Sequence, residues 1–231
     1  MRTRSLRALV AVAVLAVVPA VAGCSGDDTP SRPATDVLAA AKKNLDETSG
    51  LRLSLVADGL PPGVNGLLDA KGVATHAPAF KGDIRVAASG ITADAAVVAV
   101  GGKVHAKLPF TSSFQVIDPA HFGAPDPAAL MSSDHGLSSL LTSAQDVKRG
   151  KQVRDGKTVL TRYTGDVPGS AVKQVIPSAS ASATFPATFT VTDDDELRKA
   201  VLTGPFYPKA DKVTYTVDFT DYGSSPTITA P

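Results

Sequence analysis

Apolar and polar residues alternate in short runs along most of this chain. Leu51, Leu53 and Leu55 are separated by Arg52 and Ser54, a period of two that predicts a strand with one apolar face. The same alternation carries Ile84, Val86 and Ala88 against Asp83, Arg85 and Ala87, and Val104, Ala106 and Leu108 against Lys103, His105 and Lys107. Further strands are expected over 67–76, 91–100, 146–154, 158–165, 185–192, 196–202 and 212–220. Gly101-Gly102 and Asp155-Gly156 supply tight hairpin turns. The run GLPPGVNG from Gly59 to Gly66 must be a loop, because it holds two prolines and three glycines. Strands joined by such short turns predict an antiparallel meander.

Helical spacing is rarer. Val37, Leu38, Ala41 and Leu45 form one stripe, with Lys42, Lys43 and Glu47 on the other side and Gly50 as the stop. Shorter helical candidates fall at 126–131, 136–144 and 169–176. The expected fold is a single α+β domain. In it, helices cover the concave apolar face of a strongly curved antiparallel sheet.

The first 24 residues are different. Arg2, Arg4 and Arg7 precede an apolar run from Ala8 to Ala22, which closes as Val21-Ala22-Gly23-Cys24. This is the pattern of a secretory signal, and the run is short for a membrane span. The chain's one cysteine stands at the expected cut and resembles a bacterial lipobox residue. The organisation expected is a signal peptide over 1–23, a lipidated tether over 24–33 and a folded domain over 34–231. Cys24 would carry a covalent diacylglycerol, with or without an added N-acyl chain, and two acyl chains hold a protein on a bilayer where one does not. No other cofactor is expected.

Composition narrows function mainly by exclusion. Of 231 residues, 43% are hydrophobic and 19% charged, so a packed core is within reach. One cysteine excludes a disulfide framework. With 23 basic and 22 acidic residues, nothing asks for nucleic acid. Without the three signal arginines the balance is 20 to 22, a slightly acidic domain that is not expected to cling to anionic lipid heads by charge. Aromatic residues are 5% and tryptophan is absent. The sheet positions are therefore filled by small aliphatics, which leaves either a dry core or a cavity open.

Catalytic patterns are weak. His76, His105, His121 and His135 share no ligand spacing and read as surface or capping residues. Asp193-Asp194-Asp195 lacks the alternation and the glycine of a calcium loop. No G-x-S-x-G is present, and no carboxylates pair by spacing for acid–base work. No enzymatic activity is expected.

One resemblance organises these observations. The lipobox cysteine, Ser54-Leu55-Val56-Ala57-Asp58-Gly59-Leu60-Pro61, Lys81-Gly82-Asp83-Ile84-Arg85-Val86, Ile117-Asp118-Pro119, Asp126-Pro127, Gly136-Leu137 and Phe185-Pro186-Ala187-Thr188 occur in that order. The chain resembles the mycobacterial-type lipoprotein family of LppX, LprA, LprF and LprG, and within it the LprG branch most. The resemblance implies a LolA-like half-barrel with an apolar cavity for acylated lipids and glycolipids, of the triacylglycerol, phosphatidylinositol mannoside or lipoarabinomannan type. It also implies anchorage on the outer face of the plasma membrane and a major-facilitator membrane transporter as partner. Leu53, Leu55, Ile84, Val86, Val98, Val104, Leu137 and Leu141 are the expected cavity lining. The Gly63 loop and the Asp118–Asp126 region are placed near its mouth. The alternative is a non-enzymatic adaptor lipoprotein that stabilises a transporter without carrying lipid.

Overall fold

The alternating runs form strands close to where they are expected. The computed structural model describes residues 32–122 and 124–231. The signal peptide, most of the tether and Cys24 lie outside the described residues. From Arg32 to Pro231 the chain forms one compact unit. It opens with α1 (Ala34–Glu47), then β1 (Gly50–Asp58), β2 (Gly66–Thr75), β3 (Ala79–Ala88), β4 (Ile91–Val100), β5 (Lys103–Lys107) and a short β6 (Gln115–Ile117). A 3-10 turn, Pro127–Met131, and α2 (Ser139–Ser143) follow. The sheet resumes with β7 (Gln145–Asp155) and β8 (Thr158–Pro168). Next come α3 (Gly169–Val175), β9 (Thr184–Thr192), β10 (Leu197–Gly204) and β11 (Val213–Thr220).

All eleven strands belong to one antiparallel sheet, in the order β6-β5-β4-β3-β2-β1-β11-β10-β9-β8-β7. The chain builds outward from β1 to β6, returns over the sheet, and fills in from β7 to β11. Only β1 and β11 join the two halves, from Arg52↔Thr220 to Asp58↔Thr214.

This corrects the expected half-barrel. The sheet is antiparallel and many-stranded, but it is open, with β6 and β7 as free edges, and it is neither closed nor strongly curved. Alternation predicts which residues share a face but not the angle between neighbouring strands. At one edge, β7 exposes nearly every residue, so it has no apolar face to roll onto a partner.

One face of the sheet carries the core. The α1 stripe of Val37, Leu38, Ala41 and Leu45 is buried with β1 and β11 residues in a single apolar cluster. Helix α1 packs against β7 and β10, α3 against β8 and β9, and the Pro127–Met131 turn against β2, β3 and β4. Every buried apolar residue of this cluster lies between Val37 and Phe219, so the unit holds the whole core on which its folding depends. No helix of the described residues is long and apolar enough to cross a membrane.

The two halves are filled differently. Toward β9–β11, the Phe206 ring packs tilted against Phe185 and edge-on against Tyr215, with ring centroids 4.9 and 4.8 Å apart, and Phe189 and Phe219 are fully buried in the same cluster. Toward β2–β5, the same face carries mostly alanine, valine, leucine and isoleucine. Phe80 is the buried ring there.

Candidate functional site

Register decides which of the expected lining residues share a surface. Leu53 pairs with Gly72, which continues to Gly82 and Val97. The next rung runs Leu55, Ala70, Ile84, Ala95, and beyond it Leu67 pairs with Val86 and Val86 with Ala93. A rung on the other side links Phe80, Ala99 and Val104. Antiparallel partners point to one side of a sheet. Leu53, Leu55, Ile84, Val86 and Val104 therefore occupy the face on which the helices pack, and Leu141 from α2 is buried against the same cluster.

Val98 does not join them. It pairs with Lys81 and His105 and lies on the opposite face, where it is nevertheless buried. The alternation in β4 is obscured because Val97, Val98, Ala99 and Val100 are all apolar, so the pattern does not say which parity faces the helices.

Burial divides the shared surface. Leu53, Val104 and Leu141 are packed away. Leu55, Leu67 and Ile84 are only half-buried against the core, and Val86 beside them is half-buried too. They form a strip of small aliphatic side chains along β1, β2 and β3. Leu130 and Leu137, from the segment that crosses the sheet, flank it. The segment is held by the backbone bond from Leu137 N–H to Leu130 O (2.9 Å) and by Lys42. The Lys42 ammonium donates to Asp46 Oδ2 (2.5 Å) and to the Ser133 carbonyl (2.7 Å).

The two pockets described lie elsewhere. One, of about 440 Å³, is a depression on the opposite face, lined by Arg52, Ser54, Lys71, Lys81, Asp83 and Asp218 among others. Leu53, Gly72 and Gly82 also border it, although their own register faces the helix side. A smaller one, of about 260 Å³, sits where the β1–β2 loop meets the β3–β4 turn and includes Leu60, Val64 and Ile91.

The expected mouth is not one place. The Gly63 loop joins the far ends of β1 and β2. Ile117, next to Asp118, pairs with Val104 near the Gly101-Gly102 turn at the other end of the strands. Asp118 and Asp126 each accept a backbone N–H two residues ahead, from Ala120 and Ala128 (both 2.9 Å), and so cap local turns.

One of the four histidines has a structural partner in the core-facing helix. His76 Nε2 lies 2.9 Å from the Leu45 carbonyl at the end of α1, a group left without an intrahelical partner. Among the described residues, no three His, Cys, Asp or Glu side chains converge on a point.

One aromatic pair ties the β10–β11 connection to β2. Tyr207, in the β10–β11 connection, hydrogen bonds to Tyr215 on β11, and both reach Leu67 on β2. Tyr215 was visible in the alternation of Val213, Tyr215, Val217 and Phe219. Tyr207 carried no such signal.

Comparison with known proteins accounts for this architecture. A family model described as LppX_LprAFG lipoprotein matches residues 33–228. Comparison with curated protein sequences gives no match. Among solved structures, LprF from Mycobacterium bovis superposes with a TM-score of 0.73 at 14% identity, covering 87% of this chain and 98% of the other. The Mycobacterium tuberculosis lipoprotein LppX gives 0.63 at 15% identity, covering 86% and 100%. At such identity these likenesses establish the fold, and the family model establishes membership. The chain belongs to the LppX_LprAFG lipoprotein family, and is thereby an exported, non-enzymatic lipoprotein with a general role in lipid binding and transport.

Proposed function

We propose that this lipoprotein carries acylated lipids of the triacylglycerol or triacylated glycolipid type, with their chains against the helix-side face of β1–β3. The observation that supports the reading is the half-buried strip of Leu55, Leu67, Ile84 and Val86, aligned by register on the face that the helices only partly cover. Each CH2 withdrawn from water is worth about 0.8 kcal/mol, and aliphatic walls without polar groups accept chains of differing length. Lipid insertion would spread the Pro127–Ser143 segment away from this strip. A charged headgroup would stay in water at its edge.

In this reading Cys24 bears the diacylglycerol, with or without a further N-acyl chain, and holds the domain on the outer face of the plasma membrane. The protein acts in the LprG manner, beside a major-facilitator transporter that supplies direction, because reversible binding cannot. Leu53, Val104, Leu137 and Leu141 bound the chains, and Val98 has a structural role on the other face.

The test is native mass spectrometry with lipid extraction on the Arg32–Pro231 unit, purified from an actinobacterial host. Wild type should carry lipids with two or three acyl chains. Ile84→Trp should lose them. Val56→Trp, at an exposed position on the opposite face, should keep them. Protein that binds no acylated lipid in any form would overturn the carrier reading in favour of the adaptor.

A further inference from the structure

Among the described residues, the most basic stretch is also the longest exposed run. Residues 148–158, in the β7–β8 hairpin, are exposed without interruption. They include Lys148, Arg149, Lys151, Arg154 and Lys157 against one acid, Asp155, and Arg162 adds a sixth cation on β8. None of the six forms an ion pair among the described residues. Elsewhere in the sheet the cations Arg52, Arg85 and Lys199 each have a carboxylate partner. From Arg32 to Pro231 the chain has twenty basic and twenty acidic residues. The near-zero net charge therefore conceals one strongly positive edge.

The position of that edge matters. The last β8–β9 pair is Leu160↔Thr192, so the β7–β8 turn and the β9–β10 turn lie at the same end of the strands. Arg32, the first described residue, is held at that end by two hydrogen bonds to the Asp195 carboxylate (2.9 and 3.1 Å). Asn44 Nδ2 fastens the same turn to α1 through the Asp194 and Asp195 carbonyls. Seven residues lie between Cys24 and Arg32, and the eight Cα-to-Cα steps reach at most about 29 Å even if fully extended. A bilayer holding Cys24 is therefore within reach of this end of the sheet.

We infer that the β7–β8 hairpin is a docking surface for anionic lipid headgroups of the membrane that anchors the protein. The inference rests on Cys24 being the anchor. Five exposed cations in eleven residues on an unpaired edge can meet lipid phosphates without desolvating any core residue. Val153, 55% exposed among them, adds an apolar contact. The acidic turn beside them is partly neutralised, Asp195 by Arg32 and Glu196 by Arg198. Asp193 and Asp194 form no ion pair among the described residues and favour an approach by the β7 edge rather than by the middle of the sheet. Charged edge strands also prevent sheets from pairing edge to edge, and the experiment separates the two roles.

The soluble Arg32–Pro231 unit is floated with vesicles of phosphatidylcholine alone, or with phosphatidylglycerol added, at low and high salt. Binding is expected to anionic vesicles alone and to fade with salt. At about a factor of five per cation near the surface, the Lys151→Gln/Arg154→Gln/Lys157→Gln variant should bind roughly a hundredfold more weakly. The Lys71→Gln/Lys81→Gln/Lys107→Gln control should bind as wild type does. Equal binding to neutral vesicles, or an equal loss in the control, would overturn the inference. So would a hairpin variant that self-associates while binding vesicles normally, since the charges would then only guard the edge. The mass of the mature membrane-extracted protein reports acylation of Cys24 separately, so failure of the anchor and failure of the hairpin give different results.

Discussion

The phenol oxygens of Tyr207 and Tyr215 lie 2.5 Å apart, and together they close a ring of hydrogen bonds on one residue of β2. Leu67 N–H donates to the Tyr207 oxygen and the Leu67 carbonyl accepts from Tyr215, each at 3.0 Å. Since the Tyr215 proton is used on Leu67, the Tyr207 proton is the one between the rings. The β1–β2 pairing ends at Val56↔Asp69, just past a bulge in β2. The two rings thus take over where β1 stops serving the backbone of β2.

Removal of one hydroxyl takes a hydrogen bond from a partly buried backbone group of Leu67. Tyr215→Phe should cost about 1–3 kcal/mol, the usual penalty for such a group, and Tyr207→Phe a similar amount. The double variant should cost less than the sum, because the first change already breaks the ring. Chemical denaturation of the four proteins measures this. Strict additivity would mean that the bonds act independently.

Alkaline pH should unfold the protein through its tyrosines. Burial pushes the Tyr215 phenol well above its ordinary value. Burial and the neighbouring Glu196 do the same for Tyr222. In the unfolded chain both ionise near pH 10, so above that pH the unfolded state holds fewer protons than the folded one. Their contribution is complete below about pH 10 and is lost as pH rises, at ~1.4 kcal/mol per pH unit for each phenol. Absorbance of tyrosinate followed with denaturation should show two phenols ionising only on unfolding. Tyr215→Phe/Tyr222→Phe should flatten the slope.

The strands were legible because their faces are chemically distinct. In β1, Arg52 and Ser54 interrupt three leucines, and in β11 threonines and Asp218 separate Val213, Tyr215, Val217 and Phe219. Val98 falls on the face opposite the helices, in a row of four apolar residues that erases the parity signal. The short β6 passed unnoticed because Gln115–Ile117 holds too few residues to alternate. Sheet shape was not legible at all. It depends on strand angles and on two unpaired edges, and residue type reports neither. Net charge does not show where the cations lie for a similar reason, since it sums over a surface on which they are gathered at one edge.

Phe80 should make the Gly82 position intolerant. Its ring crosses Gly72 and Gly82, and a Cβ on Gly82 would stand 2.8 Å from that ring and 2.2 Å from the Lys71 carbonyl oxygen. The backbone contact cannot be relieved by a side-chain rotation. Gly82→Ala should destabilise by more than about 2 kcal/mol through overpacking, whereas Gly90→Ala, at a turn with open space around it, should cost less despite its positive φ. Thermal melts compare the two. Equal losses would mean that the strand simply shifts to make room.

Lys42 should control how readily the crossing segment opens. Its ammonium group bridges Asp46 on α1 and the Ser133 carbonyl, with a longer contact to Ser138 Oγ (3.5 Å), and its side chain is only 23% exposed. Hydrogen bonds to a charged group are worth about 1.5–3 kcal/mol. Here they join the N-terminal helix to the loop that runs from Met131 to α2. Lys42→Met keeps the aliphatic stem and removes the charge. It leaves Asp46, whose Oδ1 is already buried without a partner, with no counterion. Amide exchange over 132–141 should accelerate roughly tenfold or more while β9–β11 remain protected, because the aromatic half of the sheet is packed independently of this contact. If the carrier reading holds, the same variant should release bound lipid faster. Acceleration spread evenly over the whole sheet would instead mean that Lys42 stabilises the fold as a unit and has no specific hold on the segment above Leu55 and Ile84.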